Sequence, residues 1–167
     1  MTTDKLSRRS LLGWLAAGAA LPVVAACGTS TSAQAQGRFR VNYTEAEWRR
    51  RLSPAAFHVL REEGTERAFS SPLNDEHRRG MFHCAGCNNA VYSSAHKFDS
   101  GTGWPSFWQE QADAIGYTTD YNLGYPRRAI HCADCGGHLG HRFDDGPRPT
   151  GKRHCINGVA LVFRPAA

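Results

Sequence analysis

Cys132-Ala133-Asp134-Cys135-Gly136-Gly137-His138-Leu139-Gly140-His141-Arg142-Phe143 packs a C-x-x-C knuckle, a glycine pair and two histidines into twelve residues. A second knuckle, Cys84-Ala85-Gly86-Cys87, ends 45 positions before it begins. A C-x-x-C turn presents two thiolates to one ion, and two such turns complete the tetrahedral shell of structural zinc. The long interval means the metal would pin together distant parts of one domain instead of building a compact ribbon. Disulfides within the pairs, or a redox-active dithiol, are the competing uses of the same four thiols. The paired pattern favours zinc, because it is stronger than either knuckle alone.

Outward from the knuckles the text reads as short strands and turns. Segments 81–83, 90–92, 115–118, 128–131 and 159–163 carry strand-like apolar and β-branched residues. Asn88-Asn89, Asp144-Asp145-Gly146-Pro147 and Asn157-Gly158 are turn chemistry. Upstream, Thr44 and Glu47 form a capping-box pattern that predicts a short helix to about residue 51. Ser53-Pro54 opens a second, whose apolar face is Ala56, Phe57, Val59 and Leu60 and whose end is Gly64. The expected fold is mainly antiparallel β with a small N-terminal helical cap.

The first residues are a leader, not fold. Ser7-Arg8-Arg9-Ser10-Leu11-Leu12 sets paired arginines before an uncharged run to Ala26, a plan similar to twin-arginine export signals. Val24-Ala25-Ala26-Cys27 resembles a bacterial lipobox, in which Cys27 becomes the lipid-bearing first residue; Ala33-Gln34-Ala35 offers an ordinary cleavage site. Residues 1–35 are therefore assigned to signal and tether, and 36–167 to the working domain. The expected location is the bacterial envelope, periplasmic or lipid-anchored. Removing Lys5, Arg8, Arg9 and Asp4 with the leader takes the net charge from +5 to +3. The remaining basic residues are scattered, with Arg49-Arg50-Arg51 and Arg78-Arg79 as the only clusters, so the nucleic-acid footprint is weak and no nucleic-acid partner is expected. After Cys27 no apolar run is long enough to span a bilayer, which leaves a lipid at Cys27 as the expected membrane link.

Three segments carry chemistry: Ser100-Gly101-Thr102-Gly103-Trp104-Pro105-Ser106-Phe107, the His138 to Phe143 stretch, and Arg153-His154-Cys155-Ile156-Asn157. On a strand, residues two apart share a face, so Arg153, Cys155 and Asn157 project together. Arg153 favours the thiolate of Cys155, Asn157 offers an amide, His138 and His141 offer proton donors or acceptors, and Trp104 offers a flat apolar wall. Each has a plainer use: a core tryptophan, metal-binding histidines, an inert buried thiol. A thiol, a guanidinium, an amide and imidazoles rarely gather in one chain without a task.

Together C-A-G-C, S-G-T-G-W-P-S-F, C-A-D-C-G-G-H-L-G-H-R-F-D-D-G-P and R-H-C-I-N resemble the methionine-R-sulfoxide reductases, the B type, across roughly residues 44 to 165. The resemblance implies a mainly β fold with one structural zinc on Cys84, Cys87, Cys132 and Cys135, far from the active site. It implies Cys155 as nucleophile, with Trp104, His138, His141 and Asn157 forming the substrate pocket, and His141 as proton donor. The substrates would be proteins carrying methionine-R-sulfoxide, and the product a Cys155 sulfenic acid. Two departures stand out. Many members hold a resolving cysteine where this chain has Thr102, which predicts recycling by an external thiol, thioredoxin-like or other. At His154 the family usually has an aromatic residue. The rivals are a zinc-stiffened binding module with an idle Cys155 and a thiol–disulfide carrier using a C-x-x-C pair.

Overall fold

The computed structural model describes residues 39–167, so the signal, the Cys27 lipobox and the tether lie outside the described residues. Helix α1 (Glu45–Arg51) opens on the expected capping box: Thr44 Oγ1 accepts the Glu47 N–H at 3.3 Å, and the Glu47 carboxylate accepts the Thr44 N–H at 2.8 Å. Helix α2 (Pro54–Glu62) starts at Ser53, whose Oγ accepts the Ala56 N–H at 3.2 Å. Its buried face of Ala56, Phe57, Val59 and Leu60 packs toward β7 (His138–Phe143). The helix end differs from the sequence reading. Glu63, not Gly64, takes the left-handed conformation, with φ at 56°. Gly64 serves a different need: a Cβ there would lie 2.2 Å from the His58 ring.

Among the described residues nine strands follow these helices. A three-stranded sheet has the order β2-β1-β9, from Ala90–Ser93, Gly80–Cys84 and Leu161–Pro165. A six-stranded sheet has the order β3-β4-β8-β7-β6-β5, from Lys97–Phe98, Ser106–Phe107, Arg153–Ile156, His138–Phe143, Arg127–Cys132 and Ile115–Asp120. All pairings are antiparallel. Three buried rings join the sheets: Phe82 of β1 meets Phe107 of β4 edge-on at 4.9 Å, and Tyr92 of β2 stacks on Phe107 at 4.3 Å. Each such pair contributes about 1 kcal/mol beyond its buried area. Ile130, Leu139 and Ile156, from three adjacent strands, are fully buried and complete this core.

The strand expected at 159–163 is displaced. Gly158–Ala160 forms a 3-10 turn, and β9 begins only at Leu161. The cause is Glu66, whose carboxylate accepts the N–H groups of Gly158 and Val159, the latter at 3.0 Å. No helix among the described residues is long and apolar enough to cross a membrane.

Candidate active site

Strand β8 lies between β4 and β7, and this position surrounds Cys155 with useful neighbours. It pairs with His141 on one side and with Ser106 on the other. Its half-buried thiol opens into a cavity of about 120 Å³, walled by Trp104, Arg127, His141, Phe143 and Asn157 among others. That is roughly four waters' worth of space, at about 30 Å³ each: room for the end of one side chain.

The charge balance at Cys155 departs from the sequence reading. Burial pushes the thiol up, and Arg153 together with the Thr102 hydroxyl pulls it back only in part. Arg153 is itself engaged by Asp145, through Nε to Oδ1 at 2.9 Å and Nη2 to Oδ2 at 2.8 Å, and lies over the Phe143 ring at 4.4 Å. A paired guanidinium stabilises a neighbouring anion less than a free one does.

His141 is held from behind. Its Nε2 meets Asp120 Oδ2 at 2.5 Å, and Arg127 Nη2 donates to the same oxygen at 2.7 Å. Burial works against the Asp120 charge, but the Asn122 N–H, His141 and Arg127 outweigh it and keep the carboxyl below its usual range. The carboxylate thereby fixes the orientation of the ring.

His138 does not line the cavity of Cys155, contrary to the expectation of a shared pocket. It sits in a neighbouring cleft with Phe39, Glu63 and Thr118, buried, its Nε2 without a partner. Burial and the nearby His141 push it down to about 4. Its ring is nonetheless 5.2 Å from that of His141. Residues three apart on a regular strand face opposite ways. Here His138 and Gly140, two steps apart, oppose His131 and Ile130, one step apart, and this bulge turns both rings to one side.

Asn157 lies just past the end of β8, and its amide is largely committed. Oδ1 accepts the Glu66 N–H at 2.9 Å, and Nδ2 donates to the Leu139 carbonyl at 3.0 Å. One N–H of Nδ2 remains. Trp104 donates from Nε1 to the Glu66 carbonyl at 3.1 Å, so its ring plane is set by the same segment. Glu66 thus anchors Trp104, Asn157 and the turn after it. Sequence reasoning missed Glu66, Asp120 and Arg127. An acidic and a basic residue flanking the turn-like Asn122-Leu123-Gly124 were the available signal for the last two; for Glu66 it was the Arg61–Phe69 stretch, which is similar to the family's and reads as a helical entry, although the helix ends at Glu62.

The four knuckle cysteines converge, with Sγ atoms all within 4.8 Å of one another. Cys84 and Cys135 approach to 3.7 Å and Cys87 and Cys132 to 3.5 Å, all free thiols. Thiolates about 2.3 Å from a tetrahedral zinc stand about 3.8 Å apart, so the set fits that ion. The hydrogen bond to Cys132 drives the Cys84 thiol up, while Cys132, bonded by Cys135 and Cys84, is driven down. Four thiols this close cannot all ionise without a cation. Strand β6 runs from Arg127 in the cavity wall to Cys132 in this cluster, so about 16 Å of strand separates the two sites.

Residues 52–165 match the SelR domain. A peptide methionine sulfoxide reductase MsrB of Agrobacterium fabrum is 46% identical over 127 residues, covering 75% of this chain and 94% of that protein. One of Thiobacillus denitrificans is 50% identical over 123 residues, covering 73% and 93%. A mouse mitochondrial methionine-R-sulfoxide reductase B3 is 44% identical over 143 residues, covering 84% of this chain and 56% of that protein. With matches of this extent spanning both the cysteine cluster and the Cys155 cavity, the chain belongs to the peptide methionine (R)-S-oxide reductases of the B type.

Proposed function

We propose that this protein reduces methionine-R-sulfoxide in polypeptides to methionine, with Cys155 as the nucleophile. The observation that carries the reading is a single cavity joining a half-buried thiol, an indole wall and an imidazole fixed by a carboxylate. Trp104, with Phe143, packs the substrate S-methyl group. His141 and the remaining Asn157 N–H hydrogen-bond the sulfoxide oxygen. The Cys155 thiolate attacks the substrate sulfur while His141 gives a proton to that oxygen, because a sulfoxide is a poor electrophile until its S–O dipole is polarised. The S–S bond so formed then cleaves as the S–O bond breaks, the protonated oxygen passing to the Cys155 sulfur and methionine leaving as the free thioether. Methionine sulfur is reduced by two electrons, and Cys155, oxidised by two, is left as sulfenic acid. With Nε2 turned to Asp120, Nδ1 is the nitrogen left for this transfer. Asp120 acts through His141 and is a positioning residue. His138, behind His141, supports it without touching substrate.

Thr102, 4.0 Å from Cys155 Sγ, can hydrogen-bond but cannot form a disulfide. Every other described cysteine belongs to the cluster. An external thiol, thioredoxin-like or other, therefore attacks the sulfenic acid, releasing water and leaving a mixed disulfide that a second thiol resolves. Cys84, Cys87, Cys132 and Cys135 would hold one zinc ion whose contribution is structural. The twin-arginine leader would carry the folded protein to the envelope, where oxidised envelope proteins are the substrates.

The test is turnover of the two separated N-acetyl-methionine sulfoxide epimers with excess dithiothreitol, beside Cys155→Ser. Consumption of the R epimer alone, abolished in the variant, is expected. No turnover of either epimer by zinc-loaded protein would overturn the reading. Without reductant, one methionine per chain and a dimedone adduct on Cys155 are expected; a burst that leaves a disulfide instead would refute the one-cysteine cycle.

A further inference from the structure

Among the described residues the exposed large hydrophobics are Phe69, Tyr121, Leu123, Tyr125 and Val162, and all but the last belong to segments bordering the Cys155 cavity. Three sit on the β5–β6 hairpin. Its last ladder pair is Asp120 with Arg127, the partner of His141 and a wall of the cavity. The six residues between them close with a Gly124 N–H to Tyr121 carbonyl bond at 2.8 Å and an Asn122 N–H to Asp120 Oδ1 bond at 2.7 Å. None of that needs apolar side chains, and turn tips ordinarily carry polar ones. Yet Tyr121, Leu123 and Tyr125 stand 54% to 65% exposed on the tip.

The fourth, Phe69, lies on the Trp104 side. It is 74% exposed with φ at 62°, a costly state for a bulky residue. Its N–H is bound to the Gly103 carbonyl at 2.7 Å, and its ring lies so close to Gly103 that a Cβ there would meet it at 2.7 Å. Trp104 is the next residue. It walls both the Cys155 cavity and a second one of about 190 Å³ that Phe69 borders. Phe69 therefore reaches the reactive cavity through Gly103 and Trp104, beside a second cavity that Asn74, Asp75, His77, Lys97 and Asp99 make polar, while the hairpin reaches it through Arg127.

We infer that this rim docks the polypeptide on either side of the methionine sulfoxide, favouring segments whose flanking residues are apolar. The inference rests on the reductase reading above. Its chemical ground is the substrate itself: methionine is a core residue, and its oxidation disrupts cores, so the sulfoxide arrives with apolar neighbours newly exposed. A patch of large apolar side chains at the mouth of the site is suited to hold them.

The experiment compares three substrates with dithiothreitol as reductant: a decapeptide with one methionine-R-sulfoxide flanked by Leu, Val and Phe, the same peptide with Ser and Gly flanks, and N-acetyl-methionine-R-sulfoxide. The wild-type chain is set beside a variant carrying Phe69→Asn, Tyr121→Ser, Leu123→Ser and Tyr125→Ser; Asn tolerates the left-handed backbone. The wild type should prefer the apolar peptide by about tenfold in kcat/KM, the scale of one apolar side chain's burial. The variant should lose that preference and keep its rate on the small substrate. A preference that survives in the variant, or an equal fall on all three substrates, would overturn the inference. So would a defect that appears only when thioredoxin replaces dithiothreitol in the same assays, which would give the rim to the reductant, or a wild-type dimer, read by light scattering, that the variant abolishes. If the wild type turns over no substrate, the reductase reading fails, and calorimetric binding of the two peptides still decides the rim.

Discussion

Cys155 is poised between burial, which keeps it a thiol, and two neighbours that favour the thiolate. Because Arg153 lowers its pKa and Asp145 raises it, removing each should move the titration in opposite directions. The rate of Cys155 alkylation by iodoacetamide, read by mass spectrometry against pH, should shift to higher pH in Arg153→Gln and to lower pH in Asp145→Asn. Shifts of one sign in both would show that the pair acts only by holding the strand. His154, one residue away, is fully buried, 3.3 Å from the Tyr92 hydroxyl and 3.4 Å from that of Tyr117. Burial pushes it down to about 4. A depressed folded value means its contribution is complete above the ordinary histidine range and is lost as pH falls from about 6.5 toward 4. The loss is of order 3 kcal/mol. His154→Phe should be the less stable protein at pH 7, by about 1–2 kcal/mol for the unpaired Tyr92 hydroxyl, yet lose less stability on acidification. Urea melts across that range check it; parallel curves would reject the role assigned to the ring. In the sequence His154 read only as a departure from an aromatic residue, because the two hydroxyls that make it useful lie 62 and 37 positions away.

At the scale of elements, the parts legible in the sequence were those whose stabilising partners are local. The capping box of α1, the proline start of α2 and both knuckles depend on residues within four positions, and the structure forms each of them. The displaced β9, the turn at Gly158 and the orientation of Trp104 all depend on Glu66, more than thirty positions from any of them. The bulge in β7 was equally hidden, since His138 and His141 share a side only once β6 sets the register. Glu66→Gln keeps the size of the side chain but replaces one accepting oxygen by a donor, so one of the two turn N–H groups loses its partner. A destabilisation of about 1–3 kcal/mol is expected. Activity on N-acetyl-methionine-R-sulfoxide should fall by more than the unfolded fraction explains, because Asn157 and Trp104 loosen with the turn. Full activity in the folded fraction would confine Glu66 to stability.

At the scale of the molecule, two sheets must stay in register for β8 to carry Cys155 into its cavity. The aromatic contacts of Phe82, Phe107 and Tyr92 join them at one place, and the cysteine cluster joins them at another. Cys84 ends β1 of the small sheet, and Cys132 ends β6 of the large one. A metal held there crosslinks segments almost fifty positions apart, a closure that costs the unfolded chain much of its freedom. Cys84→Ser should therefore release one zinc per chain and lower Tm by roughly 10 °C or more, the shift that a loss of about 3 kcal/mol produces. Dithiothreitol alone should leave the wild-type Tm unchanged, whereas a disulfide-held cluster would melt lower once reduced. Well below the variant's Tm its kcat should stay near wild type, because about 16 Å of β6 separates the cluster from the cavity. An unchanged Tm in zinc-free Cys84→Ser would leave the aromatic core as the tie between the sheets. A lost kcat at full folding would mean that β6 transmits the state of the cluster to Arg127 and, through Asp120, to His141.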